Sequence, residues 1–392
     1  MKWVKYDKDN QRIPIKSWCD QVEDGAMEQA MNLARHPVLF HHVALMPDCH
    51  LGYGMPIGGV IACDKAVIPF AVGSDAGCGM ASIKTDFPAN LITREAVEHI
   101  MAKVELTIPV GLGKWHKEKQ TWGGFDDAPD IPIIQKELNS ARYQLGTLGS
   151  GNHFIELQAG DDGFIWLMIH SGSRNFGYKI ANEYHKKALI LCERWKSDIP
   201  DKELAFLPIE TKEGKEYLEA MNYALGFARE SRYRMISEFF GIVNDIIPCK
   251  QAISIDIHHN YAAWENHFGK NVLVHRKGAT LARKGVKGII PGSMGTPSYI
   301  VEGLGNPDSF NSCSHGAGRA MGRRDASRTL LEEDCEKAME GIVFGGWGTD
   351  RKGNVDLGEA PQAYKDIDAV IEAELDLIKP LVKLRPLGVV KG

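Results

Sequence analysis

The sequence predicts an α+β protein, one large domain of mixed β-sheets with helices packed around them. Three observations carry this. Apolar runs of strand length recur along the chain and end in glycine-rich turns, at 43–61, 66–72, 164–169 and 253–257. Between them lie segments with apolar residues at helical spacing, the longest at 215–240. No linker-like stretch divides the 392 residues, so residues 1–392 are expected to form a single domain.

Taken in order, residues 20–35 place Val22, Ala26, Met27, Ala30, Leu33 and Ala34 at helix spacing. Val43 to Ile61 reads as a strand, a loop carrying Asp48 and His50, and a second strand. Ala66 to Val72 reads as a short buried strand entering the turn Gly73–Met80, which presents Asp75 and Cys78 on one side. Thr93 caps a helix at 93–105 with the stripe Ala96, Val97, Ile100, Met101 and Val104. Residues 109–132, rich in Gly, Trp and charge, read as a long exposed excursion. At 145–157 a glycine turn feeds a strand, with His153 and Ile155 on one face and Asn152, Phe154 and Glu156 on the other. Phe164 to Ile169 is a buried strand that runs into His170–Gly177.

In the long helix at 215–240, Leu218, Met221, Leu225, Ala228, Met235 and Phe239 face the core. Ile253 to Ile257 is a strand ending in His258 and His259. From Asn266 to Val301 there is no acidic residue, while Lys270, Arg276, Lys277, Arg283, Lys284 and Lys287 are interleaved with glycine; this reads as an anion-binding floor. A helix is expected from about 317 to 341, broken near Gly322, with His315 at the lip of its N-terminus. Residues 341–362 read as a glycine-rich loop. Asp366 caps a last helix through Ile378, stopped by Pro380, before the terminal Val389–Gly392.

Composition narrows the class. The chain is 44% hydrophobic and 25% charged, ordinary for a globular protein. A net charge of −5 gives no bulk attraction to nucleic acid, although local patches outweigh the sum. Residues 1–10 hold no apolar secretory segment, and no stretch is apolar and long enough to span a membrane; a cytoplasmic protein with no membrane partner is expected. The eight cysteines form no CxxC pair and read as reduced thiols.

The chemistry-bearing residues converge on one type of site. Asp75, Cys78, His153, His170 and one of His258 and His259 stand at strand ends or glycine turns, as divalent-metal ligands commonly do. Five candidates exceed one structural zinc, and the Asp among them favours a catalytic or paired-metal site. His315 lies between glycines, with Arg319, Arg323 and Arg324 behind it. A metal, a phosphate cradle and a histidine nucleophile together point to phosphoryl or nucleotidyl transfer.

From about residue 40 onward the chain resembles the RtcB family of RNA ligases. The resemblance is carried by MPDCHLG (46–52), GSDAGCGM (73–80), GTLGSGNHFIE (146–156), HSGSRNFG (170–177), HHNYA (258–262), RKGAT (276–280), PGSMGT (291–296), SHGAGR (314–319), AYKDID (363–368) and VVKG at the end, in the family's order. It implies an RtcB-type fold and a GTP-dependent enzyme. Such an enzyme joins RNA ending in a 3′-phosphate or 2′,3′-cyclic phosphate to RNA with a 5′-hydroxyl, in tRNA splicing or RNA repair. Position by position, Asp75, Cys78, His153, His170 and His259 match ligands of two manganese ions, with Cys78 shared. Asn152, Glu156, Ser293, Ser298, Ala317, Tyr364 and Lys391 match guanylate contacts. His315 matches the guanylylated histidine, and Arg174 a residue orienting the RNA 3′-phosphate. The physiological RNA and any activating protein partner are not named by these residues.

Cys49, Ser74 and Ala76 replace the apolar residues that usually flank the family's ligands, and the 109–132 loop and Gly341–Gly358, with Trp347, depart from its common form. Two rival readings are a metal-dependent RNA phosphoesterase and an RNA-binding homologue that no longer ligates. Neither needs His315 or Lys391.

Overall fold

The computed structural model describes residues 1–349 and 353–392, so residues 350–352 of the expected 341–362 loop lie outside the described residues. Two large sheets organise it. One has six strands, in the order Trp3–Lys5, Ile15–Ser17, Leu39–His50, Ile57–Cys63, Lys270–Lys277 and Asn260–His267. The other has eight. Its path runs Gln251–His258, Gly79–Pro88, Phe164–Ser171, Phe154–Gly160, Ile378–Lys391, Ser298–Gly303 and Lys287–Ile290, and Val343–Phe344 pairs with Ile378–Lys391 off that path. Each sheet contains a parallel pair among antiparallel ones, so both are mixed. With the helices around them, the fold is α+β.

Helical periodicity decides which faces are buried. In Arg94–Thr107, Val97, Ile100, Met101 and Val104 pack on Ile155, Leu157 and Ile169 of the eight-stranded sheet, together with Phe239 and Ile242. Burying each such side chain contributes about 1.5–3 kcal/mol. The Thr93 hydroxyl accepts the Ala96 N–H and caps the start, as expected. Phe239 and Ile242 belong to the 35-residue helix Lys212–Ile246, which turns Ala220, Ala224 and Phe227 toward Asn175–Arg194. Asp24–Arg35 covers the six-stranded sheet through Ala26, Ala30 and Leu33. Val60, Val274, Ile290 and Val301 close a further core where the two sheets approach. Among the described residues, no helix is long and apolar enough to cross a membrane.

Several expectations are corrected. Only Ala66–Val67 is strand; Pro69–Val72 is a helical turn, because Pro69 at its first position presets the helical φ. Asp48 and His50 lie on one continuous strand, Leu39–His50. No helix begins at His315: Ser312–Ser314 is strand, Gly318 adopts φ +74°, and the helices are Arg323–Thr329 and Glu332–Ala338. The last helix ends at Ala373, and Ile378–Lys391 is a strand containing Pro380 and Pro386. Its two register breaks fall beside these prolines, at Leu381 and Leu387, so each proline sits where the ladder is irregular. The 109–132 excursion exposes Leu112 and Trp115 but is anchored by buried Phe125 and Ile131. The basic run is not one continuous anion floor: Arg283, Lys284 and Lys287 are exposed, but the other three are engaged. Arg276 is buried on Glu265, the Lys277 ammonium donates to the Tyr53 and Phe70 carbonyls, and Lys270 pairs with Asp64.

Candidate metal centre and nucleotide cavity

Strand register gathers the candidate ligands. In the eight-stranded sheet His258 lies opposite Gly79, His170 opposite Met80, Phe154 opposite His170, and Lys391 opposite Phe154. The Asp75–Cys78 turn, His153, His170, His259 and Lys391 therefore all reach one end of neighbouring strands. Immediately after His259 the chain enters Asn260–His267 of the six-stranded sheet. The site thus lies where the two sheets meet.

Two triads of donor atoms share one thiol: Cys78, His170 and His259, and Asp75, Cys78 and His153, with all atoms of each triad within 4.8 Å of one another. Cys78 Sγ lies 3.2 Å from His170 Nε2 and 3.5 Å from His153 Nε2. His170 Nε2 lies 3.3 Å from His259 Nε2, and Asp75 Oδ2 3.5 Å from His153 Nε2. The outer nitrogens fix the tautomers: His153 Nδ1 donates to the Leu148 carbonyl and His170 Nδ1 to the Asn152 carbonyl, each at 3.0 Å. Lone pairs then face the centre. Burial and the adjacent histidines push His170 and His259 well below the ordinary histidine range. Burial and the nearby Asp75 push the Cys78 thiol well up. Asp75 resists burial and falls below the usual carboxylate range because His153 and Arg174 stand beside it. Converging lone pairs, a carboxylate and a thiol that ionises only against a cation suit divalent metal.

His258, the alternative candidate, points elsewhere. Its Nδ1 meets the Gly77 carbonyl and the Arg232 guanidinium. Arg232, fully buried on the long helix, pairs with Asp256 and donates to the carbonyls of Gly77 and Ser171. One arginine therefore backs both the metal turn and the His170 strand. Arg174, at φ +57°, places its guanidinium 3.5 Å from His153 Nδ1. Gly149 adopts φ +95°, which favours glycine, and a side chain there would also displace that guanidinium.

A cavity of about 320 Å³ adjoins the metal centre, lined by Asn152, Ser293, His315, Ala317, Tyr364 and Lys391 among others. An open cleft of about 810 Å³ contains Asp75, Cys78 and His259. His50 and His315 border both spaces, and of the two it is His315 whose ring lies against a metal-ligand candidate, 4.9 Å from the His259 ring. Glu156 and Ser298 stand behind the cavity and are joined through Gln158, whose amide donates to both. Burial pushes Glu156 up to about 7 despite the opposing charge of Lys391.

Two participants escaped the sequence reading as site residues. Asp48, fully buried, accepts His315 Nδ1 at 2.6 Å and His315 N at 3.1 Å through Oδ2. With Nδ1 committed as donor, Nε2 keeps its lone pair. Glu359 accepts from the Tyr364 hydroxyl, Arg323, Arg319 and Lys391. Burial opposes its charge, but Lys391, Arg323, the Tyr364 hydroxyl and Arg319 draw it down to about 2. The sequence signals for Asp48 were its place after an apolar run and within MPDCHLG; Glu359 had none.

The family model described as tRNA-splicing ligase RtcB matches residues 29–130 and 117–392. RNA-splicing ligase RtcB of Escherichia coli (strain K12) is 37% identical over 407 residues, covering 97% of this chain and 98% of that protein. tRNA-splicing ligase RtcB of Pyrobaculum aerophilum is 30% identical over 470 residues, covering 97% and 95%. The protein of the same name from Methanococcus maripaludis is 32% identical over 466 residues, covering 98% and 96%. Matched along nearly its whole length, the chain belongs to the RtcB family.

Proposed function

We propose that this RNA ligase consumes GTP and joins RNA ending in a 3′-phosphate or 2′,3′-cyclic phosphate to RNA with a 5′-hydroxyl. The observation that carries the reading is His315, an imidazole bordering both the nucleotide-sized cavity and the metal cleft, its Nδ1 held by Asp48. Its Nε2 attacks the α-phosphorus of GTP; a P–N bond forms and pyrophosphate leaves. An oxygen of the RNA 3′-phosphate then displaces the imidazole, giving an RNA–guanylate diphosphate. The 5′-hydroxyl oxygen attacks the RNA phosphorus, GMP departs, and the hydroxyl proton is released. A cyclic end is first opened by water.

In this reading Asp75, Cys78, His153, His170 and His259 hold two manganese ions, which when bound supply Lewis-acid stabilisation of phosphoryl charge. Sulfur is not a donor manganese favours, so the choice of metal follows the family. Asn152, Glu156, Ser293, Ser298, Ala317, Tyr364 and Lys391 bind the guanylate, and Arg174 orients the RNA 3′-phosphate through charge-assisted hydrogen bonds. Residues 1–392 act as one catalytic domain on RNA in the cytoplasm, in tRNA splicing or RNA repair.

The test uses α-labelled GTP with manganese. Label should remain on the protein through alkali and neutral hydroxylamine and be lost in acid, as a phosphoramidate requires. His315→Ala should remove the label while keeping the metal content and the sealing of RNA already activated with guanylate. A wild-type protein that hydrolyses RNA phosphates but takes no label would be a phosphoesterase instead. Efficient joining of 3′-hydroxyl to 5′-phosphate ends with ATP would place it in another ligase class.

A further inference from the structure

Lys365 lies in the AYKDID motif beside Tyr364, yet it lines neither the metal cleft nor the nucleotide cavity. Its side chain runs to the far face of the Leu39–His50 strand. There Nζ donates to the Cys49 carbonyl at 2.7 Å and the Pro47 carbonyl at 3.2 Å, and meets Cys19 Sγ at 3.7 Å. Two of the ammonium hydrogens are thus held by backbone carbonyls, and the group faces a separate cleft lined by Trp18, Cys19 and Pro47. The two carbonyls belong to the residues on either side of Asp48.

That stretch of strand needs a support from outside the sheet. The ladder to Ile57–Cys63 breaks register between Leu45 and His50, and the pairing with Ile15–Ser17 ends at Leu45. Trp18 N still reaches the Leu45 carbonyl, but Pro47 has no N–H to offer either neighbour. Asp48 therefore sits on backbone that the sheet does not fix. Its carboxylate is buried, with Oδ1 lacking any hydrogen-bond partner and Oδ2 on His315. The backbone N of Lys365 also donates to the Gly318 carbonyl at 3.0 Å. Gly318, three residues after His315, packs so closely on the Asp48 carbonyl that a side chain there would collide with it. Lys365, Asp48, His315 and Gly318 form a closed ring of contacts.

We propose that Lys365 is a positioning residue for the His315 nucleophile: by gripping the carbonyls on both sides of Asp48 it fixes the carboxylate that orients the imidazole. This rests on the reading of His315 as the guanylylated residue. Loss of the ammonium should then impair the one step in which the imidazole attacks, and leave steps that use an already activated RNA end intact.

The experiment compares full-length wild type, Lys365→Met, Lys365→Gln and Lys365→Arg, with melting temperature and manganese content measured for each. Lys365→Met should slow labelling by α-labelled GTP at saturating nucleotide by about tenfold or more, the scale of a modest misplacement of a reacting group. The GTP concentration giving half-maximal rate should not change. Sealing of RNA carrying a guanylylated 3′ end should stay within about twofold, a difference too small to count as lost transition-state stabilisation. Lys365→Arg should restore most of the labelling rate, since its fork can reach both carbonyls. If Lys365→Met does not fold, Lys365→Gln carries the same comparison. Wild-type labelling rates in the folded variants overturn the proposal, as does a parallel fall in labelling and sealing, or a raised half-saturating GTP at unchanged maximal rate. Absence of label on the wild type, or label persisting in His315→Ala, refutes the underlying reading instead.

Discussion

Replacing Asp48 with Asn tests the orienting of His315 by the smallest change available. The side chain keeps its shape and loses its charge. Asp48 Oδ2 now accepts two hydrogens from His315, at 2.6 Å and 3.1 Å. A hydrogen bond to a charged group is worth about 1.5–3 kcal/mol net. At about 1.36 kcal/mol per decade of rate, losing that assistance predicts guanylylation slower by about 10- to 100-fold. The loss grows if the amide NH₂ turns toward Nδ1, because the imidazole must then carry its proton on Nε2 and has no lone pair to attack with. Folding should not suffer: Asp48 Oδ1 has no partner in the wild type, so a buried, half-satisfied charge is being removed. The assay is the initial rate of protein labelling from α-labelled GTP at saturating nucleotide, with melting temperature alongside. A folded Asp48→Asn protein that labels within about twofold of wild type would refute the orienting role, because one charged hydrogen bond predicts far more.

Other outcomes are expected from the same geometry. Cys78→Ala removes the donor common to both triads, so elemental analysis should find both manganese equivalents lost; retention of two equivalents would exclude a shared thiolate. Lys391→Met should abolish GTP labelling and lower the melting temperature somewhat, since its ammonium lies beside the cavity and 3.4 Å from the buried Glu359 carboxylate; normal labelling by the folded variant would remove it from the nucleotide site. Glu374, fully buried, has its carboxyl raised from 4.5 to about 8, chiefly by burial. A carboxyl whose folded value is raised adds stability that is complete below pH 4.5 and is lost as pH rises toward 8. Glu374→Gln should therefore melt like wild type at pH 4.5 and be more stable near pH 8.5. The gain should be about 2 kcal/mol or more, at about 1.36 kcal/mol for each tenfold change in proton affinity between folded and unfolded chain. Equal melting at both pH values would show that Glu374 is not held neutral.

The candidate metal donors that the structure brings together were legible because they sit at the ends of apolar runs, most of them in short glycine-rich motifs. Thr93 and the stripe from Val97 to Val104 were legible for the same local reason. The rest depended on residues distant in sequence. Asp48 matters because it meets His315, 267 residues away, and nothing within MPDCHLG announces that partner. Arg276 and Lys277 looked like anion binders because their acceptors, Glu265 and the Tyr53 and Phe70 carbonyls, are supplied by tertiary packing. Ala66–Val72 was misread because a short apolar run has no periodicity to separate strand from helical turn, and the effect of Pro69 outweighed β propensity. Ile378–Lys391 was misread in part because a proline usually ends an element, whereas here two prolines are tolerated beside breaks in a ladder.

The position of that strand governs how the molecule assembles. Ile378–Lys391 lies between Phe154–Gly160 and Ser298–Gly303. Among the described residues it is the only link along the sheet's path between the four strands ending in Phe154–Gly160 and the pair Ser298–Gly303 and Lys287–Ile290. Until it inserts, two half-sheets each show an open edge of unpaired backbone groups, the surfaces through which chains pair with one another. Contacts that span more than 200 residues are slow to close, which predicts that these edges stay open through part of folding. Refolding yield should consequently fall with protein concentration, and aggregation should draw on a partly folded species in which the two halves have formed but not yet joined.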